Sequence, residues 1–130
     1  MLERSPELRH LQERRGQSIE DEYVEVQITT FDQLATYEPP FFVKMDVEGA
    51  ELDVLLGATE TLKNTEMLLM ELSILPRYEG EASFAEMVLF MDRANFRVFD
   101  IVEMAQERPD GPLIYVDIAF ARKDLTPRKR

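Results

Sequence analysis

The side chains of this sequence whose types and spacing could do chemistry are Lys44, Asp46, Glu48, Glu51, Glu71 and Tyr78. Four of them fall within Lys44-Met45-Asp46-Val47-Glu48-Gly49-Ala50-Glu51, where acids recur at short intervals around a glycine. A carboxylate in such a place can take or orient a hydroxyl proton, and a group of them can hold a hard cation. The sequence has no cysteine, which excludes thiolate nucleophiles, disulfides and thiolate metal sites. Its one histidine, His10, sits in a polar segment with only Leu8 and Leu11 as an apolar face. It reads as a solvated surface histidine rather than a general base.

The elements that must position these acids follow from periodicity. Phe41 to Val47 is short, apolar and β-prone, and it ends in carboxylates and a glycine. From there Leu52, Leu55, Leu56, Thr59 and Leu62 recur with a helical period, so the spacing predicts a helix that breaks or bends at Gly57 and ends near Asn64. A strand that delivers acids to its C-terminal end and turns into a helix is the βα step of an open α/β sheet, whose ligands sit at that edge. Met67 to Leu72 predicts a strand covered on both faces. Ser83-Phe84-Ala85-Glu86 is a capping box that opens a helix with Phe84, Met87, Val88, Met91 and Ala94 as its core stripe. Arg97–Glu103 and Leu113–Ala121 predict two antiparallel strands joined by a polar loop. Upstream, Ser5-Pro6-Glu7 opens a helix that stops at Gly16, and Tyr23 to Thr29 alternates like a half-exposed strand. Thr30-Phe31-Asp32-Gln33 is a second capping-box pattern, and Pro39-Pro40 stops its short helix.

From Phe41 the order is therefore β-α-β-α-β-β, an α/β arrangement of mostly parallel strands with an antiparallel last strand. Three segments result: a polar helix or linker over 1–22, the α/β unit over 23–122 and a basic tail over 123–130. The central run, continued by Leu52, Leu55, Gly57 and Ala58, resembles the signature of the FkbM-type methyltransferases, K-x-D-x-E-G-x-E followed by L-x-x-L-x-G-A. Thr30-Phe31-Asp32-Gln33-Leu34, Tyr78, Gly80, Asn95-Phe96 and Asp117-Ile118-Ala119-Phe120-Ala121-Arg122 are similar to the family too, so the resemblance runs from about Val24 to Arg122. It implies the C-terminal half of a Rossmann-like methyltransferase sheet. It also implies S-adenosylmethionine as cofactor and methylation of a hydroxyl on a sugar or natural product, a small-molecule acceptor. Such an enzyme holds its cofactor on a glycine-rich first strand-to-helix turn. The five glycines, Gly16, Gly49, Gly57, Gly80 and Gly111, form no G-x-G turn after a strand. The expectation is a partial domain, inactive alone: one part of a split gene, a truncated or misannotated start at Met1, or a degenerate copy. A glycine-rich strand-turn-helix encoded upstream of Met1 would restore the enzyme.

Strand parity puts Phe42, Lys44, Asp46 and Glu48 on one face and, on the next strand, Met67, Leu69 and Glu71 on one face. A lysine in a covered strand needs a carboxylate, so Lys44 is expected to pair with Asp46, Glu71 or both. The purely structural reading makes these a buried ionic cluster, with Glu48 and Glu51 favouring the start of the next helix. The functional reading places Asp46 and Glu48 at the junction of cofactor and acceptor, with Glu71 and Tyr78 as further candidates for handling the acceptor proton. Tyr78 reads equally well as a tyrosine packed over the core. A Mg²⁺ site is disfavoured because Lys44 competes for the same carboxylates.

At 130 residues and 45% apolar, with eight Phe and seven Met, the chain is long enough for one domain with a proper core. A formal charge of −11 argues against nucleic acid or an anionic membrane surface as partner. The first residues are charged and no apolar run spans a membrane, which fits a cytoplasmic protein. A phosphoacceptor receiver domain is a rival for Met45-Asp46-Val47, but Glu20-Asp21-Glu22 precedes a strand instead of ending one, and Ser73-Ile74-Leu75-Pro76 carries no lysine. A second rival is a non-catalytic half-domain kept for binding or oligomerisation. The Phe41 to Val47 strand is unusually apolar for a sheet edge, so an uncovered edge predicts a homodimer or aggregation.

Overall fold

The computed structural model describes residues 24–34 and 36–125, together with Glu3, Pro6, Arg9 and His10. Most of the opening helix and the basic tail from Thr126 onward lie outside the described residues. In order, the elements are α1 (Phe31–Leu34), β1 (Phe41–Met45), α2 (Glu51–Leu56), α3 (Thr59–Lys63), β2 (Thr65–Ser73), α4 (Phe84–Arg93), β3 (Phe96–Gln106) and β4 (Leu113–Arg122).

The four strands form one mixed sheet in the order β1-β2-β4-β3. β1 pairs with β2 in parallel, and β4 pairs antiparallel with both β2 and β3. β1, β2 and β3 thus run the same way, and the last strand is inserted between its two predecessors against their direction. The structure is an α/β fold consistent with part of a Rossmann-like methyltransferase sheet. The β1-to-β2 crossover carries α2 and α3, the β2-to-β3 crossover carries α4, and no helix separates β3 from β4.

One face of the sheet builds the core. Met45, Leu68, Met70, Leu72, Val116, Ile118 and Phe120 are buried against Leu55 and Leu62 of the first crossover and Met87 and Met91 of the second. Each large apolar side chain withdrawn from water here contributes about 1.5–3 kcal/mol. Ser83 and Glu86 form the expected capping box, with both hydrogen bonds present, and the Ser83 hydroxyl and N–H hold the Glu86 carboxyl below its ordinary pKa.

The helix after β1 does break at Gly57, and packing explains the glycine. A side chain there would meet Thr30 Cβ at 3.3 Å, tighter than ordinary contact. Thr30 leads into α1, whose Asp32 N–H donates to the Gly57 carbonyl at 3.0 Å. Asp32 then supplies the cap that Ala58 lacks at the start of α3. Its carboxylate accepts from Glu60 N at 3.0 Å, Thr61 N at 2.8 Å and the Thr61 hydroxyl at 2.8 Å. Burial alone would raise the Asp32 carboxyl, but these bonds and nearby Lys63 outweigh it and hold the pKa below its ordinary value.

Two expectations need correction. The alternating segment before α1 is not a strand: residues 24–30 have no regular structure and are exposed throughout. Alternation makes a segment fit to pair, but a strand exists only when a partner satisfies its backbone groups. β2, moreover, is not fully covered on both faces. Leu68, Met70 and Leu72 are buried, whereas Met67, Leu69, Glu71 and Ser73 on the other face are only half-buried.

Candidate functional site

β1 ends at Met45, and Asp46 to Ala50 make the turn into α2. Two successive residues of that turn, Glu48 (φ 50°) and Gly49 (φ 97°), adopt positive φ. Glycine does so freely, whereas a glutamate there costs about 1–2 kcal/mol. The turn is tied at both ends. Buried Glu51, the first residue of α2, accepts from Gly49 N–H at 3.2 Å through Oε1. The Tyr78 hydroxyl, from the loop after β2, donates to Glu48 Oε2 at 2.7 Å. Glu48 and Tyr78, thirty residues apart in sequence, therefore meet at the C-terminal end of the parallel strands.

Lys44 Nζ meets Asp46 Oδ2 at 3.3 Å, with side chains 60% and 48% exposed. Lys44 is not in a covered strand as expected; it stands at the rim in solvent, where such a pair contributes little. Nor does it reach Glu71. That glutamate is ion-paired with Arg77 Nη1 at 2.6 Å, side chains 18% and 14% exposed. Parity put Lys44 and Glu71 on one face correctly, but it carries no information about a cation arriving from a loop.

Arg77 is the residue that sequence reasoning missed. Its Nε donates to Ser73 Oγ at 2.9 Å, its guanidinium lies over the Tyr115 ring at 5.3 Å, and its N–H donates to the Glu81 carboxylate. Glu81 Oε2 also accepts from Ser73 Oγ at 3.0 Å. This network fixes the loop that carries Tyr78. The available signal was the Pro76-Arg77-Tyr78 run itself, a lone cation beside a candidate tyrosine and a few residues beyond a strand-end glutamate. On the same face Glu71 lies opposite Asp117, and Asp117 opposite Glu103. Burial first, then Glu71, Glu103 and Asp117, raise the Tyr115 hydroxyl pKa against the opposing pull of Arg77. Asp117 Oδ1 is buried without a hydrogen-bond partner among the described residues. No group of three His, Cys, Asp or Glu among the described residues could hold a metal ion. None of their helices is long and apolar enough to cross a membrane.

The residues at the end of β1 can therefore accept a proton or a hydroxyl hydrogen bond on exposed carboxylates held in a fixed turn. They present no glycine-rich turn of the kind that cradles an adenosyl cofactor. No curated protein and no solved structure gives a significant match to the chain. The family model of the methyltransferase FkbM domain matches residues 2–98, about three quarters of the sequence, from the N-terminal segment through β1, the acid turn and α4 into β3. On that match, with the α/β sheet and the acid turn it spans, the chain belongs to the FkbM methyltransferase family.

Proposed function

We propose that this chain carries the acceptor side of a methyltransferase that moves a methyl group from S-adenosylmethionine to a hydroxyl of a small molecule, a sugar or natural product. Membership of the family supports methyl transfer. The observation that carries the finer reading is the Glu48–Tyr78 hydrogen bond at the C-terminal end of β1, beside Asp46. Tyr78 fixes Glu48 through Oε2, which leaves Oε1 to accept from an acceptor hydroxyl. Asp46, one pleat nearer β1, is the second carboxylate placed to take the hydroxyl proton as the oxygen becomes a nucleophile. Lys44, ion-paired with Asp46, orients its carboxylate. Glu71, engaged by Arg77, acts on the loop that carries Tyr78 rather than on the substrate.

The sulfonium cofactor, when bound, supplies the methyl group. The residues described here supply positioning and proton acceptance, and the glycine-rich cofactor turn belongs to a further part of the domain. Titration calorimetry of the 130-residue chain with S-adenosylmethionine is expected to show no saturable binding. A micromolar isotherm would mean that the chain holds its cofactor unaided. A form with a glycine-rich strand-turn-helix upstream is expected to move labelled methyl groups onto hydroxyls of a glycoside panel. Label on amines or carboxylates alone would overturn the hydroxyl assignment.

A further inference from the structure

Exposed large apolar side chains gather at both edges of the sheet. Leu34, Tyr37 and Phe42 border the groove beside β1, the edge against which the family's fold sets the strand-turn-helix of the cofactor site. The other group stands at the far edge, on β3, which among the described residues pairs with β4 alone. There Val98, Phe99, Ile101, Val102 and Met104 are from 45% to 62% exposed. Together they present roughly 500 Å² of apolar surface, the size of patch that marks an interaction site and more than half of what one partner of an ordinary complex buries.

The register of β3 on β4 sorts these side chains. Arg97, Asp100 and Glu103 lie opposite Ala121, Ala119 and Asp117, whereas Val98, Ile101 and Met104 lie opposite Phe120, Ile118 and Val116 of the core. Opposite residues of an antiparallel pair share a face. The register shifts at Phe99 and Val102 each insert a residue, so the usual period of two becomes a period of three. β3 therefore carries its charges on one face, and on the other it extends the apolar core out into solvent. The charges run from basic at Arg97 to acidic at Asp100 and Glu103. We propose that a second copy of this chain covers this edge, with the two β3 strands side by side and antiparallel about a two-fold axis near Asp100. Arg97 of each copy then faces Glu103 of the other, while Val98, Ile101 and Met104 of both copies meet on the opposite face. A parallel arrangement would set Arg97 against Arg97 and Glu103 against Glu103, in a chain whose net charge of −11 already repels its copy. The bulges interrupt any backbone ladder across the axis, as does the Asp100 carboxylate, which accepts from Ile101 N–H at 2.9 Å. Side chains therefore make the contact. The homodimer expected of the β1 edge thus falls to β3. The proposal rests on this edge and not on the methyl-transfer reading.

The sequence has no cysteine, so single cysteines report the contact. Ile101→Cys, near the axis, is compared under a glutathione redox couple with Phe42→Cys on the β1 edge and Leu89→Cys on α4, both at exposed positions. Several-fold more disulfide-linked dimer is expected from Ile101→Cys than from either of the others. Sedimentation equilibrium is expected to show a monomer–dimer equilibrium that Arg97→Glu weakens several-fold. The double swap Arg97→Glu/Glu103→Arg is expected to restore it, because the exchanged charges pair again across the axis. Met104→Asp is expected to weaken the dimer about tenfold or more, since an apolar side chain leaves the contact. All these positions are exposed, and an unchanged urea midpoint checks that each variant keeps its fold. A monomer at every concentration, a double swap as weak as Arg97→Glu, or a dimer indifferent to Met104→Asp would overturn the proposal. So would Phe42→Cys linking as readily as Ile101→Cys, which would assign the contact to β1.

Discussion

The acids that end β1 and the glutamate near the end of β2 stand along one edge of one sheet, yet their surroundings are opposite. Glu71 is half-buried, paired at 2.6 Å with an arginine that also engages Ser73, Glu81 and Tyr115. Asp46 is half-exposed with a single rim lysine, and Glu48 has one phenol and a backbone conformation that a glutamate adopts at a cost. A carboxylate engaged on all sides is a structural part. One held at a fixed angle with an oxygen to spare, in a turn under strain, has no such structural reason for its position, and the proposed function gives it one. The difference teaches that position on a sheet edge nominates residues, and that the partners they have found decide between them.

That contrast can be broken by substitution. In a form of the enzyme that turns over, Asp46→Asn is expected to lower kcat by about a hundredfold or more while the cofactor Kd moves little. Steady-state kinetics and calorimetry check this, and equal loss in both would move Asp46 to cofactor binding. Glu71→Gln leaves Arg77 without its ionic partner in a half-buried place. It is expected to destabilise the chain by about 2 kcal/mol, read as a lower urea midpoint. A midpoint unchanged by Glu71→Gln would remove the structural role given to that network. Glu48→Gly is expected to do the reverse, stabilising the chain by about 0.5–1 kcal/mol as the positive-φ cost outweighs the exposed Tyr78 bond, while abolishing the candidate site. A loss of stability there would mean that the turn depends on Glu48 for more than chemistry.

The smallest expected effect concerns Asp32, a carboxylate that serves structure from outside both groups. Its pKa is lowered in the folded chain, so its contribution is full above the ordinary carboxylate range and is lost as pH falls through the lowered value. Asp32→Asn should therefore flatten the acid limb of a stability–pH profile and leave its neutral plateau lower. An unchanged acid limb would show that capping of α3 is not what acid removes.

Much of the fold was legible because it is encoded locally. The capping box at Ser83, the break at Gly57 and the helical repeat of Leu52, Leu55 and Leu62 each depend on residues within a few positions of one another. The strand beginning at Phe41 and the two final strands read correctly for the same reason, since β-prone runs bounded by turn residues carry their own signal. The alternating segment from Val24 read as a strand and is not one, because pairing is a property of two segments and the sequence describes one at a time.

The candidate site divides along the same line. Sequence alone determined that acids cluster around Gly49 at a strand-to-helix turn, that no cysteine or metal-binding histidine competes with them, and that the pattern is that of a methyltransferase family. Only the tertiary structure decided which acid is free. It brought Tyr78 to Glu48 across thirty residues, gave Glu71 to Arg77 instead of Lys44, and put Asp32 at the start of a helix that supplies no cap of its own. Each outcome was fixed by which chain segments the crossovers bring within hydrogen-bond reach. That distance is set by the packing of the whole sheet and not by the spacing of residues along the chain.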